Sequence, residues 1–186
     1  MEDNYDIRNK LYGDTTSRYT RRMTTTPAPL VKLGARPPLE LMSSTAFLLK
    51  RLGFGIKART FEAFEAAGES PYHHAVLAVL DENPVETQAA IADALGYDRS
   101  WLVGLLDELE EADLIERRRD PADRRRHVVT LKPAGKKKLA RLREIAGAVE
   151  EEYFGPLSPE PRQALHALLL ELAAHHDPRC VPSDAA

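Results

Sequence analysis

The chain has 186 residues, of which 43% are hydrophobic and 30% charged, and its formal net charge is −3. This length fits one domain with additional segments, and bulk electrostatics give no reason to expect a nucleic-acid partner. The single Cys180 excludes a disulfide within the chain, as in a cytoplasmic protein, and no apolar run approaches the ~20 residues that span a membrane.

The two ends of the chain are predicted to lack regular structure. Residues 1–42 are rich in Thr, Arg, Asp and Pro, and their scattered apolar residues show no sustained period. We therefore expect a disordered or loosely attached arm over residues 1–42, a globular domain over residues 43–176 and a flexible tail over residues 177–186.

A long amphipathic helix is predicted over residues 43–67. Phe47, Phe54 and Phe61 recur there at heptad spacing, which places their rings on one face of the helix. A stripe of this kind belongs either to an ordinary core or to an interface between helices.

Two short helices joined by a tight turn are predicted next. Thr87 is a suitable N-cap for the first helix, and Gly96 ends it as a C-terminal cap. Asp98 caps a second helix that runs from Arg99 to about Ala112. The apolar face of this helix is formed by Leu102, Leu105, Leu106 and Leu109. The arrangement is that of a helix-turn-helix, in which the second helix reads DNA.

A short hairpin follows, with arginines on both sides of its turn. Two apolar-containing segments, at 114–115 and 128–131, flank a turn over residues 120–123 that contains Asp and Pro. Arginine triplets occupy 117–119 and 124–126. A solvated surface hairpin is one interpretation; the other is a wing that enters a DNA groove, and the helix-turn-helix immediately upstream favours the wing.

Two more helices are predicted within residues 134–176. The first carries an apolar seam of Leu139, Leu142, Ala146, Val149 and Tyr153. Ser158 and Pro159 are a cap and a first-turn proline for the second. These stripes fit an ordinary core, but terminal helices of this topology have little else to pack on, so a dimer buries them most easily. The predicted dimer contacts are Phe47, Phe54, Leu165, Leu168 and Leu172.

Charge is strongly segregated along the chain. Residues 116–143 contain twelve Lys or Arg residues against three acidic ones, whereas residues 81–115 contain ten acidic residues against Arg99 alone. Such segregation produces a directional field that can orient a protein on a phosphate backbone. It therefore supports the interpretation as a winged helix-turn-helix.

Four segments carry a family resemblance. They are SPYHHAVLAVL, ETQAAIADALGYDRS, LLDELEEADLIERRRDPADRRRHVVTL and KPAG. In this order they resemble the MarR family of bacterial transcriptional regulators, over roughly residues 45–176. The most specific part is the Asp-x-Arg of Asp123–Arg125, which is followed by a strand and a Leu-x-Pro-x-Gly helix start.

The resemblance implies a mainly helical α+β fold with a small β-hairpin wing. Its winged helix-turn-helix core would span about residues 70–132, and N- and C-terminal dimerisation helices would span about residues 43–67 and 134–176. It further implies a homodimer in which each subunit presents one winged helix to double-stranded DNA.

The outward face of the second helix offers few donors for base edges. Ser100 and Gly104 lie opposite Leu102. Arg99 flanks one edge of this face and Trp101 the other. Family members usually carry Thr and Arg in this region, so specificity would rest on Arg99, Ser100 and the wing. Gly104 either lets the helix lie close to DNA or has no role, and Trp101 either packs against the wing base or touches a thymine methyl.

Further DNA contacts are expected at the first helix and at the wing. Arg125 falls on the family's wing arginine, which reaches into the minor groove, and Asp123 braces it. Arg124 and Arg126 would serve phosphates. Lys132 replaces the family's usual Thr at a helix start and sets a cation against the helix dipole, which a nearby phosphate would make tolerable. The expected DNA contacts are Thr87, Gln88, Arg99, Ser100, Trp101, Gly104, Asp123, Arg124, Arg125 and Arg126.

The resemblance also implies an effector site between the dimerisation helices and the winged helix. Arg51 would pair with a carboxylate or phenolate, and Tyr72 and His73 would supply ring contact and a hydrogen bond. The alternative is that Arg51 forms a salt bridge within the dimer and both aromatic residues fill ordinary core.

No catalytic or metal-binding pattern supports an enzyme. The sequence has no phosphate loop, no H-E-x-x-H and no G-x-G-x-x-G after a strand. Adjacent His73 and His74 point about 100° apart on a helix and make a poor chelate. Peroxide-sensing relatives carry a cysteine on the first helix, whereas Cys180 lies in the tail. We therefore expect no cofactor, no metal and no thiol sensing.

These features predict a homodimeric, sequence-specific transcriptional regulator. We expect a repressor that binds a palindromic operator and is released by a small aromatic or anionic molecule, although the repressor and effector parts rest on the resemblance alone. Two alternatives stay open: a DNA-binding protein without an effector, and a winged helix that serves as a protein-interaction module.

Overall fold

The computed structural model describes residues 36–120 and 126–181. Its helices are α1 (Leu39–Met42), α2 (Thr45–Ala66), α3 (Pro71–Glu82), α4 (Gln88–Leu95), α5 (Arg99–Glu111), α6 (Pro133–Phe154) and α7 (Pro159–His176). Its strands are β1 (Val85–Thr87), β2 (Ile115–Arg119) and β3 (His127–Leu131), and a 3-10 helix spans Pro178–Cys180. The mainly helical α+β class that the sequence predicts is therefore confirmed.

The chain divides into two compact units, Met1–Phe47 and Leu48–Ala186. In the first unit, the Ser43 hydroxyl donates to the carbonyl of Leu39 at the end of α1 (2.9 Å). The Ser44 hydroxyl accepts from the Phe47 amide (3.3 Å) and so caps the start of α2. Residues 39–42 are thus helical rather than disordered, and the predicted arm up to residue 35 lies outside the described residues.

The sheet is antiparallel, with strand order β1-β3-β2. Strands β2 and β3 form the predicted hairpin, with Ile115 opposite Leu131. The sequence does not predict β1, because three residues after a proline give no alternating pattern. This strand pairs Thr87 with Val128. The entry to α4 and the wing therefore belong to one sheet.

Local capping fixes the helix-turn-helix as the sequence predicts. The Thr87 hydroxyl accepts from the amide three residues later at the start of α4 (3.1 Å), and Gly96 ends that helix in the left-handed conformation (φ 66°). At the start of α5, Asp98 Oδ1 accepts from the amides of Ser100 and Trp101 (2.9 and 3.0 Å). These bonds satisfy amides that have no partner within their own helices.

One hydrophobic core joins the helix-turn-helix to the helices around it. It contains the four predicted leucines of α5 and residues of α3 and α4, together with Phe64, Ile115, Val129, Leu139 and Leu142. The seam of α6 therefore packs within its own chain at Leu139 and Leu142. For these two residues the ordinary-core interpretation is confirmed.

Apolar side chains on the terminal helices remain exposed in the single chain. Phe54 is 64% exposed, Leu168 65% and Leu172 47%, whereas Phe47 and Leu165 are half-buried. Exposed apolar stripes of this kind are typical of an interface. No helix within residues 36–120 or 126–181 is long and apolar enough to cross a membrane.

The residues that follow α7 contact the helix-turn-helix. Asp177 Oδ1 accepts from Arg179 Nε (2.8 Å), and Arg179 Nη1 donates to the carbonyl of Asp93 near the end of α4 (2.7 Å). Within the expected tail, Pro178–Cys180 form a 3-10 helix, and Arg179 satisfies a helix-end carbonyl. Residues 182–186 lie outside the described part of the chain.

The start of α6 lies against the end of α5. Lys132 precedes α6 without a side-chain cap, and its ammonium pairs with Asp113, whose φ is 59°. A carboxylate of the same chain thus offsets the cation for which the sequence suggested a phosphate. A Cβ on Gly135 would collide with the carbonyl oxygen of Leu114 and lie 2.6 Å from Leu131 Cδ1. Close packing therefore requires the glycine of Leu-x-Pro-x-Gly.

Gly135→Ala should destabilise the fold, because the added methyl group meets the backbone carbonyl of Leu114, which accepts from the Lys132 amide. We expect the free energy of unfolding, measured by urea denaturation, to fall by about 1–3 kcal/mol, as overpacking usually costs. Gly147→Ala in the same helix is the matched control, because nothing lies within 4 Å of its added Cβ. It should stabilise the protein by up to ~1 kcal/mol through helix propensity. Equal stability of the two variants would contradict the packing constraint.

Candidate nucleic-acid interface

A groove of about 220 Å³ lies between the helix-turn-helix and the wing. Four of its lining residues belong to the predicted DNA contacts, namely Thr87, Gln88, Arg99 and Arg126. The other three, which the predicted set lacks, are Ala89, Val103 and His127. The sequence could have indicated these three residues only by their position, since each lies within four residues of a predicted contact. The starts of α4, α5 and β3 therefore meet at one surface.

The start of α4 offers donors to an anion. Strand β1 ends at Thr87, whose hydroxyl accepts the capping bond and keeps its own proton to donate. Gln88 is the first residue of the helix. Amides in the first turn of a helix carry partial positive charge, and they bind phosphates for that reason.

The exposed face of α5 is the one that the sequence predicts. Arg99 and Ser100 are exposed, Val103 is 42% exposed, and nothing lies within 4 Å of a Cβ built on Gly104. Arg99 Nη2 is 3.7 Å from Asp93 Oδ1. A loose pair in solvent contributes little to stability, so the guanidinium is available to a stronger partner.

Trp101 contacts two tyrosine rings, whereas the sequence suggested the wing base or a thymine methyl as its partner. Its indole is half-buried, and its ring centroid lies 4.7 Å from that of Tyr72 and 4.8 Å from that of Tyr97, both edge-on. These contacts connect α5 to α3 and to the turn before α5. The rings of Tyr72 and Tyr97 therefore hold this side chain, in addition to any contact with the wing base or with DNA.

The first arginine triplet does not form a cluster at the wing tip. Arg117 is only 19% exposed, and its Nη2 lies 2.6 Å from Asp107 and 2.5 Å from Glu110, both on α5. Glu110 also accepts from the Arg117 amide (3.0 Å), and these bonds lower the pKa of Glu110. The reason is strand alternation, which places Arg117 on the same face as the buried Ile115.

The outer part of the hairpin keeps exposed cations. Arg118 pairs with Glu116 on its own strand (2.8 Å), while Arg119 and Arg126 are exposed. The Asp120 amide donates to the Arg126 carbonyl (3.0 Å) and extends the ladder towards the turn. The predicted contacts Asp123, Arg124 and Arg125 lie outside the described residues.

Three carboxylates of α5 pair with side chains that lie outside the groove. Asp107 and Glu110 bind Arg117, and Glu108 Oε2 lies 2.8 Å from His73 Nε2 on α3. Arg117 offsets part of the negative charge on this helix. The groove therefore presents mainly the cations Arg99 and Arg126 to an incoming partner.

The three effector candidates have different environments. Arg51 is exposed on α2. Tyr72 contacts other aromatic rings, and His73 contacts Glu108, so both side chains are engaged within their own chain. For Tyr72 this matches the alternative in which the ring fills ordinary core.

Comparison with known proteins identifies the family. The MarR family profile matches residues 69–126. A protein of Thauera aromatica, assigned as a transcriptional regulatory protein for the hcr operon, is 36% identical over 115 residues, which is 62% of this chain and 68% of that protein. The structure of the transcriptional repressor CouR bound to a 23-mer DNA duplex has a TM-score of 0.67 at 30% identity, and the match covers 75% of this chain and 99% of that chain. The chain belongs to the MarR family.

A second CouR structure extends the comparison to a ligand complex. CouR from Rhodococcus jostii RHA1 bound to p-coumaroyl-CoA has a TM-score of 0.60 at 28% identity, over 72% of this chain and 94% of that chain. As a MarR-family protein, the chain is a DNA-binding transcriptional regulator, and α4, α5 and the β2–β3 hairpin are its winged helix-turn-helix.

Arg117→Ala should loosen the wing, because it removes the guanidinium that holds β2 to α5. We expect the free energy of unfolding to fall by about 1.5–3 kcal/mol, as for hydrogen bonds to charged groups. Arg118→Ala is the matched control, since Arg118 pairs in solvent with its own strand and should change stability by less than ~1 kcal/mol. Similar losses for both variants would show that Arg117 does not hold the wing.

The same contact gives a pH dependence with a defined sign. Because the pKa of Glu110 is lowered in the folded protein, its contribution to stability is complete above the ordinary pKa of Glu and is lost as the pH falls through the lowered pKa. Wild type should therefore exceed Glu110→Gln in stability at neutral pH, and the difference should shrink on acidification. A difference that is independent of pH would contradict this assignment.

Proposed function

We propose that this MarR-family protein acts in the cytoplasm as a homodimer that represses transcription from a palindromic operator and is released by a small aromatic or anionic effector. The observation that carries the DNA-binding part is the groove at which Thr87, Gln88, Arg99 and Arg126 meet. The similarity to CouR, a transcriptional repressor bound to a DNA duplex, supports the same role for this chain.

Helix α5 would enter the major groove with its first turn foremost. Arg99 has the donor geometry for a guanine edge, and Ser100 is exposed beside it. Val103 offers an apolar contact for a thymine methyl, and the open space at Gly104 lets the helix approach the bases closely. Thr87 and the amides of α4 would hold a phosphate.

The wing would add contacts on the flanking duplex. Arg125 is proposed to reach into the minor groove with Asp123 as its brace, and Arg124 and Arg126 are proposed to bind phosphates. Arg126 lines the groove beside Arg99. This position supports a phosphate contact close to the bases that α5 reads.

Arg126→Ala should reduce the electrostatic part of binding, because binding releases fewer counterions when one phosphate contact is missing. On an inverted repeat taken from the DNA that flanks its own coding region, the slope of log affinity against log salt should fall by about one. Arg141→Ala, an exposed arginine outside the groove, should leave the slope unchanged. Salt-independent binding, or none, would favour the protein-interaction alternative.

The exposed stripes on α2 and α7 support a homodimer. Phe54, Leu168 and Leu172 would leave water together when two copies meet, with Phe47 and Leu165 completing the interface. Two recognition helices would then face half-sites about 34–36 Å apart, which is one turn of DNA.

Leu168→Asp should convert the dimer to folded monomers, since Leu168 is already 65% exposed in the single chain and folding does not bury it. Ala167→Asp is the control, because it places the same charge on an exposed position about 100° away, off the stripe. Sedimentation at micromolar concentration should give monomer for the first variant and dimer for the second. A wild-type protein that is a stable monomer would contradict the architecture.

Release by an effector is proposed to involve Arg51, Tyr72 and His73. Arg51 is an exposed cation on α2, which suits a carboxylate or phenolate. The complex of CouR with p-coumaroyl-CoA supports a ligand that combines an aromatic ring with negative charge. Binding acts as a switch only if the ligand prefers a dimer whose recognition helices do not fit the operator.

Calorimetric titration with aromatic carboxylates, free and as CoA thioesters, tests the effector. Arg51→Ala should weaken binding by about tenfold or more, as expected for loss of a charge-assisted bond. Identical affinities for wild type and variant would remove Arg51 from the site. Absence of binding across the panel would favour the effector-free alternative.

A further inference from the structure

Four aromatic side chains from separate segments are linked through edge-to-face contacts. Tyr72 on α3 lies 5.3 Å from Phe61 on α2, 6.0 Å from Tyr97 in the turn and 4.7 Å from Trp101 on α5, measured between ring centroids. Tyr97 and Trp101 are 4.8 Å apart. We call Phe61, Tyr72, Tyr97 and Trp101 the aromatic cluster. Tyr72 is its centre, because it contacts the other three rings.

The geometry of these contacts is directional. The interplanar angles that involve Tyr72 are 69°, 78° and 87°, so each pair places a ring edge against a ring face. This arrangement restrains rotation as well as separation, unlike the contact of two aliphatic side chains. Burial, and Tyr72 beside it, raise the pKa of Tyr97 to about 12, so the cluster carries no charge at neutral pH.

The cluster is joined to the residues that would read DNA. Trp101 lies in the first turn of α5, directly after Arg99 and Ser100. The amides of Ser100 and Trp101 share the Asp98 carboxylate, so this turn moves as one piece. A displacement of the indole therefore displaces Arg99 and Ser100 relative to α3.

We infer that Tyr72 is a positioning residue for operator recognition. Its ring holds Trp101, and through it the first turn of α5, in the orientation at which Arg99 and Ser100 meet the base edges. Phe61 connects the same ring to α2, so the orientation of α5 depends on the helix that carries the exposed dimer stripe. This inference rests on the proposed function and needs no effector.

The sole tryptophan of the chain gives the inference its own readout. Since Trp101 is the only indole, its emission and its quenching by acrylamide report on the cluster alone. Tyr72→Leu removes the central ring, whereas Tyr72→Phe keeps the ring and removes only the hydroxyl. Full-length variants would be compared with wild type by circular dichroism, fluorescence and DNA binding.

We expect Tyr72→Leu to remain folded, to shift the Trp101 emission to longer wavelength and to increase its quenching. Operator affinity should fall about tenfold, while affinity for a random duplex at low salt should stay within about twofold, because phosphate contacts do not depend on the register of α5. Tyr72→Phe, which keeps the ring contacts, should stay close to wild type in Trp101 emission, in quenching and in operator affinity. If Tyr72→Leu does not fold, Tyr97→Leu can replace it, because it removes one of the two rings that contact Trp101. Tyr97→Leu should likewise lower the affinity for the operator and leave the affinity for random DNA within about twofold.

The outcomes distinguish this inference from the proposed function. A wild type that binds no DNA would contradict the proposed function and the inference with it. Operator affinity that survives Tyr72→Leu despite the changed emission would overturn the inference alone. Equal losses on operator and random DNA would also overturn it, since they would show a general loss of structure rather than a loss of positioning.

Discussion

The bond between Arg117 and helix α5 sets the geometry on which the interface depends. Asp107 and Glu110 are three residues apart on the helix, so both carboxylates reach the same guanidinium. A planar guanidinium with two carboxylate partners restrains direction as well as distance. The leucines of α5 are buried in the core, so the helix cannot rotate to follow the strand. The angle between wing and recognition helix is therefore set at the base of the wing.

This bond also explains how an acidic chain can present a basic surface. The net charge is −3, and α5 itself carries four carboxylates against one arginine. In its second half, Asp107 and Glu110 pair with Arg117, and Glu108 pairs with His73. Arg99 lies in its first turn and lines the same groove as Arg126. Charge is thus sorted along a single helix, and its N-terminal dipole adds to the positive end.

Sequence reasoning succeeded where the structural cause is local. The caps at Thr87, Gly96 and Asp98 depend on bonds within four residues, and the leucine period of α5 is visible in the sequence. It failed where the cause is tertiary. Strand β1 exists because β3 is there to pair with it, and the role of Arg117 requires the carboxylates of α5 opposite it. The bond from Arg179 to α4 spans 86 residues, so no window of sequence contains it.

The aromatic residue at position 101 changes how this chain would discriminate among DNA sequences. The MarR resemblance leads one to expect side chains with hydroxyl or guanidinium donors along this turn, and the indole that contacts two tyrosine rings here carries neither group. Fewer direct contacts place more of the specificity on how well the duplex fits α5 and the wing in their fixed orientation. A site that must bend or twist to fit costs an energy that depends on its sequence, even at bases the protein does not touch. Rigid placement of α5 converts that deformation energy into selectivity. A helix that could adjust its position would bind a duplex that deforms easily and one that resists deformation equally well.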